Sequence, residues 1–402
     1  MARVLVQELK VPGHFLPYAL DQVMRHTEGG NEIIFALNGD LRSRLKSFWG
    51  EDRLPPTCKL HWVDGIETYC PGDGIRKSQG TARLEIDVCQ DLIKEYNPDR
   101  VLVPSADNLA LRLYADSRRA RAIGANGIPW DLILHGSWAT PGLFRRRPDK
   151  KILHSISMNK IANPNTRMLT PDPYIAMGPG RDLLSRRLAR CCSFLPHPFA
   201  PFTHVSQEEA RKRLDLPIED RLLVVLGAID MRKAIDRLLI ALPTLSGIVD
   251  GVVLAGIIGP KCRVLADQVK DSTHPKLHLL DRFLDPDAFG HAALAADLVW
   301  AVYPRWRGIS SVQFLAAQCK RRCMVDRTHP SAVWSASFGA GCSVLDDSVQ
   351  DTVREALEGP PPDETYFRLM ENFTSRDAQR AILVDGVEVT SLDVLERYAG
   401  ST

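Results

Sequence analysis

The sequence predicts an α/β protein of two doubly wound domains, each built on a parallel sheet and facing a central cleft. Three observations carry this. At 402 residues the chain exceeds one ordinary core and fits two domains. Short apolar runs of strand length alternate with helical patterns along most of it, the mark of a parallel sheet with crossover helices. The alternation breaks once, at the proline-bearing stretch LPHPFAPFTHV from Leu195 to Val205, and then restarts. Residues 1–196 are therefore expected to form the first domain, 197–205 a linker, 206–375 the second domain, and 376–402 a segment packing back near the hinge.

In the first half the apolar runs predict strands at Arg3–Leu9, Glu32–Leu37, Lys59–Val63, Arg100–Pro104, Asp131–His135, Arg167–Leu169 and Ser193–Leu195. Helical patterns fill Pro17–His26, Leu41–Phe48, Thr81–Glu95 and Ala106–Arg119. After the linker, Ser206 followed by Glu208 and Glu209 reads as a capped helix start with an acidic first turn. Strands are then expected at Leu222–Leu226, Gly251–Ala255, Leu277–Leu280, Leu298–Val302, Arg322–Val325 and Ser343–Leu345. In open α/β sheets the ligand sits at the carboxyl ends of the strands, so the loops that follow them are where chemistry is sought.

Composition removes several functional classes. Hydrophobic residues make up 45% and charged residues 25%, and the formal net charge is only +2, so no global polyanion-binding signature exists and nucleic acid is disfavoured. No run of about 18 uncharged apolar residues suits a membrane span. The opening MARVLVQELK reads as a strand rather than a signal peptide. The nine cysteines follow no regular framework, which fits reduced thiols and a cytoplasmic location. Neither Cys191-Cys192 nor Cys319 with Cys323 has the partners a zinc site needs, so no metal is expected. Basic residues do cluster, at Arg145-Arg146-Arg147 with Lys150-Lys151 and at Arg181, Arg186, Arg187 and Arg190. The first run, beside Leu143-Phe144, suits either a solvated face or peripheral contact with anionic lipid.

The second half carries two candidate anion cradles. In RLLVVLGAIDMRKAID an apolar strand runs into Gly227, and Lys233 is read as opening an amphipathic helix, with Arg232 beside it. Backbone N–H groups at a helix start and a nearby ammonium favour a phosphate-bearing ligand. Downstream, the strand ending near Pro304 leads to Gly308, Ser310 and Ser311, which open the helix ISSVQFLAAQ. Each has a plain structural reading too: Lys233 as a surface lysine, Ser310-Ser311 as a cap, and Arg305 and Arg307 as a cation–π pair on Trp306. Two such helix starts together point to a nucleoside diphosphate.

Read residue by residue, this half resembles the nucleotide-sugar domain of GT-B glycosyltransferases, especially the retaining family 4 group. The family's strand, glycine-arginine pair and lysine-glycine pair correspond to LGAIDMRKAID, which keeps Gly227 and Lys233 but has Ala228 and Ala234 in the other places. LHLLDRFLDPDAF looks like the segment whose backbone meets the nucleobase, with Arg282 at the usual glycine and Phe283 and Leu284 following. AADLVWAVYP matches the strand before the donor loop, Pro304 aligning with the family proline. The signature pair of glutamates is missing: Arg307 stands at the first and Leu315 at the second. Cys319 matches the family cysteine, while Lys320 and Arg322 replace its glycine and proline.

The amino-terminal half resembles the family as well. RVLVQELKVPGHFLPYALDQVMRH looks like a first strand, a glycine loop at Gly13 and a helix fronting the acceptor, with His14 and Ser137 also on the acceptor side. DLILHGSW resembles the strand that ends in a histidine near the transferred sugar, which makes His135 the candidate catalytic residue. Asp107, Asp131 and Asp230 lie near strand ends, where they serve either as acceptor-side bases or as caps. The resemblance implies a GT-B fold of two Rossmann-like domains. It also implies transfer of a sugar from a nucleoside-diphosphate sugar to a glycan, lipid or small-molecule hydroxyl, with retention, no cofactor and no bound metal. Retaining enzymes of this kind attack from the leaving-group face, so no carboxylate nucleophile is required. Leu315 cannot accept the ribose hydrogen bond, a loss of about 1.5–3 kcal/mol. The alternative is a non-catalytic glycosyltransferase-like binding or partner protein.

Overall fold

The computed structural model describes residues 1–9, 15–48, 54–66, 75–107, 109, 113, 116–135, 156–197, 202–269, 275–304, 310–327, 342–345 and 348–399. The chain divides into two compact units, Met1–Pro196 with Arg376–Thr402, and His197–Ser375.

The first unit runs β1 (Arg3–Glu8), α1 (Phe15–Glu28), β2 (Glu32–Asn38), α2 (Arg42–Phe48), β3 (Cys58–Val63), α3 (Ile75–Tyr96), β4 (Arg100–Val103), α4 (Ser117–Ala122), β5 (Trp130–Ile133), β6 (Thr166–Thr170), α5 (Pro173–Ala176), α6 (Arg186–Cys191) and β7 (Cys192–Phe194). Its seven strands form one sheet in the order β3-β2-β1-β4-β5-β6-β7, parallel throughout. The order reverses between β1 and β4, which makes that the topological switch point. Expected strand ends shift by only a residue or two.

The helix expected over Ala106–Arg119 is not continuous. Asp116 leaves helical geometry at φ −122° and accepts from Arg119 N, so it caps a new helix, α4. Its carboxylate also meets Arg119 at 2.9 Å and Arg83 at 3.2 Å. An aspartate inside an amphipathic pattern competes with the backbone for hydrogen bonds and restarts the helix.

The second unit runs α7 (Gln207–Arg213), β8 (Leu222–Leu226), α8 (Ile235–Ala241), β9 (Gly251–Ala255), α9 (Pro260–Val269), β10 (Lys276–Leu280), α10 (Pro286–Ala295), β11 (Leu298–Ala301), α11 (Ser311–Gln318), β12 (Arg322–Asp326), β13 (Cys342–Leu345), α12 (Val349–Glu358) and α13 (Glu364–Phe373). Its six parallel strands are ordered β10-β9-β8-β11-β12-β13, with the switch point between β8 and β11. Every residue of β8 is buried, as expected for a strand covered on both faces. Its alternation still sorts the side chains: Leu223 and Val225 pack with Leu238 of α8, Leu222, Val224 and Leu226 with Ala292 of α10. Ser206 caps α7 by accepting from Glu209 N at 3.1 Å.

Part of the proline-bearing stretch lies on this unit. Thr203 N donates to Asp287 of α10 at 2.6 Å, and the Thr203 carbonyl lies 3.0 Å from His291 Nε2. The Phe202 ring occupies the space a side chain at Gly290 would need, since a Cβ there would come within 2.1 Å of it.

The last segment, α14 (Arg376–Leu383) and α15 (Leu392–Tyr398), belongs to the first unit. It is held at the amino-terminal edge of that sheet: Arg100 donates to the Leu383 carbonyl at 2.6 Å and Arg167 to the Ile382 carbonyl at 3.0 Å. Asp131, fully buried, orients both cations, bidentate to Arg167 at 2.6 and 2.7 Å and 3.9 Å from Arg100. Burial works against the Arg167 charge, and the Asp131 hydrogen bonds more than offset it, raising its pKa.

His26 is buried close to this cluster. Asn31 donates to its Nδ1 at 3.4 Å, and among the described residues its Nε2 has no hydrogen-bond partner. Burial, with help from Arg100 and Arg167 against Asp131, lowers its pKa to about 4. The unfolded chain therefore binds a proton that the folded chain refuses between about pH 6.5 and 4. The neutral imidazole's contribution is complete above that window and is lost as pH falls through it, by about 3 kcal/mol at its lower end. His26→Leu is expected to flatten this part of the stability–pH profile in denaturant titrations; an unchanged slope would contradict it.

Candidate functional site

The second unit gathers its distinctive chemistry at the carboxyl ends of β8 and β11, its switch point. Gly227 ends β8 at φ +86°, and Gly256 ends β9 at φ +135°. A side chain at 256 would meet the Gly227 carbonyl oxygen at 2.1 Å, so only glycine lets the two loops lie this close. Gly256 was not singled out from the sequence, although a glycine directly after a buried strand is the signal for such an approach.

Beyond Gly227 the chain departs from expectation. Lys233 does not open a helix. Residues Met231–Lys233 form a short 3-10 turn, Ala234 takes a left-handed φ of 51°, and α8 begins only at Ile235. Trp300, fully buried on β11, fixes the turn by donating Nε1–H to the Lys233 carbonyl at 2.7 Å.

The turn sends the lysine inward. Lys233 is only 5% exposed, its Nζ bonded to the Leu226 carbonyl and, at 3.1 Å, to the Tyr303 hydroxyl, and 5.0 Å from the Tyr303 ring centroid. The ammonium thus spans the ends of the two strands that define the switch point. Among the described residues no carboxylate lies within ion-pair distance of it. A buried cation answered only by a carbonyl, a hydroxyl and a ring face is costly and suits an anion. Tyr303 and Trp300 were missed from sequence because aromatics in AADLVWAVYP read as strand core.

Arg232 points elsewhere. It forms a fork on Asp230, with Nε at 3.0 and 2.8 Å from the two carboxylate oxygens. Burial alone would raise the Asp230 carboxyl, but this guanidinium holds it below the ordinary range. Asp230 also accepts from Arg232 N at 2.9 Å, so it is a cap and an ion-pair partner.

At the second cradle Ser310 is the residue preceding α11 and Ser311 its first residue. Ser310 is 3% exposed and makes no capping bond, and among the described residues its Oγ has no hydrogen-bond partner. An orphaned buried hydroxyl at the start of a helix is unusual in a native fold. Gly308, Arg305 and Arg307 lie outside the described residues. Leu315, expected from the resemblance to replace a glutamate, is 1% exposed and packs in the core with Val312 and Val325. Cys319 is buried there too, which pushes its thiol up to about 12 and leaves it inert.

Arg282 and Phe283 are exposed in the loop after β10, while Leu284 is buried in the core. That loop follows the edge strand, two strands from β8.

In the first unit His135 lies just beyond β5. Its backbone N donates to Asp107 at 3.0 Å, and its Nε2 is 2.9 Å from the Pro104 carbonyl. A carbonyl only accepts, so Nε2 carries the proton and Nδ1 is the accepting nitrogen. The ring meets Tyr18 edge-on at 4.7 Å. Asp107 thus anchors the His135 backbone. Asp131 does not serve as an acceptor-side base: it sits near the amino end of β5, buried under Arg167. Arg181 likewise leaves the expected basic cluster, donating to the Ala176, Ala189 and Cys192 carbonyls at 2.7–2.9 Å. Gly13, His14, Ser137 and the run at 143–151 lie outside the described residues. Among the described residues, no group of three or more His, Cys, Asp or Glu is placed to hold a metal, and no helix is long and apolar enough to cross a membrane.

No family model and no curated protein matches the sequence. Solved structures do match along nearly the whole chain. Sucrose-phosphate synthase from Thermosynechococcus elongatus aligns with a TM-score of 0.62 at 12% identity, covering 99% of this chain and 97% of that one. Arabidopsis thaliana UGT89C1, complexed with quercetin, gives 0.60 at 14%, covering 99% and 98%. Anabaena HepE in complex with UDP-glucose gives 0.58 at 12%, covering 99% and 98%. This chain has the GT-B fold. At these identities the likeness establishes the architecture, and the chemistry rests on the residues. Within a GT-B frame, Lys233 and Ser310 stand at the strand ends of the carboxyl-terminal domain and His135 at those of the amino-terminal one.

Proposed function

We propose that this GT-B protein transfers a sugar from a nucleoside-diphosphate sugar to an acceptor hydroxyl, with retention and without a bound metal, in the manner of the family 4 enzymes it resembles. The observation that carries this reading is the buried Lys233 ammonium at the ends of β8 and β11, with no carboxylate of the described residues within ion-pair distance. Departure of the nucleoside diphosphate builds negative charge on the bridging oxygen, and a preorganised cation stabilises that charge most in a water-poor site. Ser310 and the first amides of α11 supply neutral donors for the second phosphate. His135, held by the Pro104 carbonyl at the strand ends of the first unit, is assigned to a sugar or acceptor hydroxyl. The neighbours lend context: HepE was solved with UDP-glucose, a nucleoside-diphosphate sugar, and UGT89C1 with quercetin, a small molecule bearing hydroxyls.

One observation favours a second reading, a non-catalytic binding protein. Leu315 is core, so nothing at that position is available to a ribose. Melting temperatures with UDP, GDP and ADP and their sugars separate the two. Stabilisation by one nucleotide series, followed by release of free nucleotide on adding acceptors, is expected for the transferase. Stabilisation without turnover supports the binder, and no response to any nucleotide overturns both.

A further inference from the structure

The opposite end of the second unit's sheet is also built for an anion. Arg221 precedes β8, Asp297 precedes β11, and Lys320, Arg321 and Arg322 lead into β12; with Leu357 of α12 they line a cavity of about 290 Å³. These are the amino-terminal ends of parallel strands, whereas Lys233 lies at the carboxyl ends.

The charges there do not balance. Asp297 is taken up within the fold, bonded to Arg211 at 2.8 Å, to Leu222 N at 2.7 Å and to Gln207 at 3.0 Å. Lys320 meets Glu364 at 2.7 Å in an exposed pair, and Arg221 is 3.9 Å from Asp250. Arg321 and Arg322 have no carboxylate within ion-pair distance among the described residues. Arg322 donates to the Ala356 carbonyl at 2.5 Å. Among the described residues the Arg321 side chain reaches only Gln207, at 3.3 Å, and its Nε is buried without a partner. Burial, then the like charge of Arg211, lowers the Arg321 pKa despite Cys319 and Asp297.

Helix polarity explains part of this. Cations after a helix C-terminus complement its dipole, which accounts for Lys320 at the end of α11. It accounts neither for Arg221 and Arg322 at strand starts nor for the buried Arg321 Nε. Lys320 also holds a left-handed φ of 52°, where glycine is the easier occupant.

We propose that this cavity binds a small phosphate monoester, held by the Arg321 and Arg322 guanidiniums and capped by Lys320. Guanidinium forks match phosphate oxygens in pairs. The volume lies just below the usual small-ligand range of roughly 300–1,000 Å³, which suits a phosphate with a short organic remainder and excludes a whole nucleotide sugar.

Melting of the full chain in inorganic phosphate, against chloride at matched ionic strength, tests this. A phosphate-specific rise is expected in the wild type and in Lys233→Met, which silences the other candidate site. The rise should vanish, or need at least about tenfold more phosphate, in Lys320→Gly and Arg321→Met. Glycine suits the backbone at 320, so Lys320→Gly keeps the fold even if Arg321→Met does not. No phosphate-specific rise, or one that survives Lys320→Gly undiminished, overturns the proposal. Sedimentation with phosphatidic acid vesicles, competed by phosphate, would assign the monoester to a lipid headgroup. A rise in melting without sedimentation assigns it to a soluble metabolite.

Discussion

Lys233→Met is expected to weaken nucleoside-diphosphate binding by about tenfold to hundredfold while leaving the melting temperature nearly unchanged. The first number follows from the loss of a charged hydrogen bond to phosphate, about 1.5–3 kcal/mol. The second follows from two opposed effects on the fold. The Leu226 carbonyl and Tyr303 hydroxyl lose a buried donor, which is destabilising. Against that, an ammonium with no carboxylate of the described residues within ion-pair distance leaves the interior, and removing an uncompensated buried charge is stabilising. Methionine keeps the volume of the stem, so no cavity adds to the balance. Titration calorimetry with the nucleotide that stabilises the wild type checks the first part and scanning calorimetry the second. Full affinity in the variant would remove Lys233 from the site. A collapse of stability with affinity retained would make it a structural lysine. Tyr303→Phe is the companion control, since it keeps the ring face under the ammonium and removes only one oxygen.

The strands were legible because burial on both faces leaves almost no freedom of composition: LLVVL and GVVLA can hardly be read otherwise. The restart after the proline-bearing stretch likewise announced a second sheet. What the sequence concealed lies where the backbone leaves regular geometry. Ala234 and Lys320 both occupy left-handed conformations, at φ 51° and 52°, yet neither is the glycine that would have signalled one. Both hold a backbone conformation that glycine adopts more easily, at a cost of roughly 1 kcal/mol each. Without that signal at 234 the sequence predicts Lys233 as the first residue of a helix, whereas it ends a turn that buries its ammonium. Charge pairing was concealed for another reason. Nothing in the spacing shows that Arg232 is claimed by Asp230, or that Asp131 faces Arg167 across neighbouring strands, because these pairs depend on register and on side-chain direction. Leu315 reads in the sequence only as an apolar helix position, and its burial shows that it belongs to the core.

Asp131→Ala is expected to be the most destabilising single change in the first unit, by about 3–5 kcal/mol, because it leaves a buried guanidinium without its anion. Asp131 is fully buried and bidentate to Arg167, with Arg100 3.9 Å away. Those two arginines hold the Ile382 and Leu383 carbonyls at the end of α14, so the damage should spread to the returning carboxyl-terminal segment. Hydrogen exchange of residues 376–399 is therefore expected to accelerate more than that of β1 or β2. In melting experiments the first unit should lose on the order of 10 °C. Combining the change with Arg167→Met should recover part of the loss, since an apolar pair replaces an unpaired charge more cheaply than either single variant does. The same experiments separate this role from chemistry. A structural Asp131 leaves turnover per folded molecule intact, and the defect follows the melting curve as temperature is lowered. A turnover loss that persists well below the transition, with exchange at 376–399 unchanged, would instead restore Asp131 as a reacting group and contradict the placement of this carboxylate at the edge of the sheet farthest from His135 and the other strand-end residues.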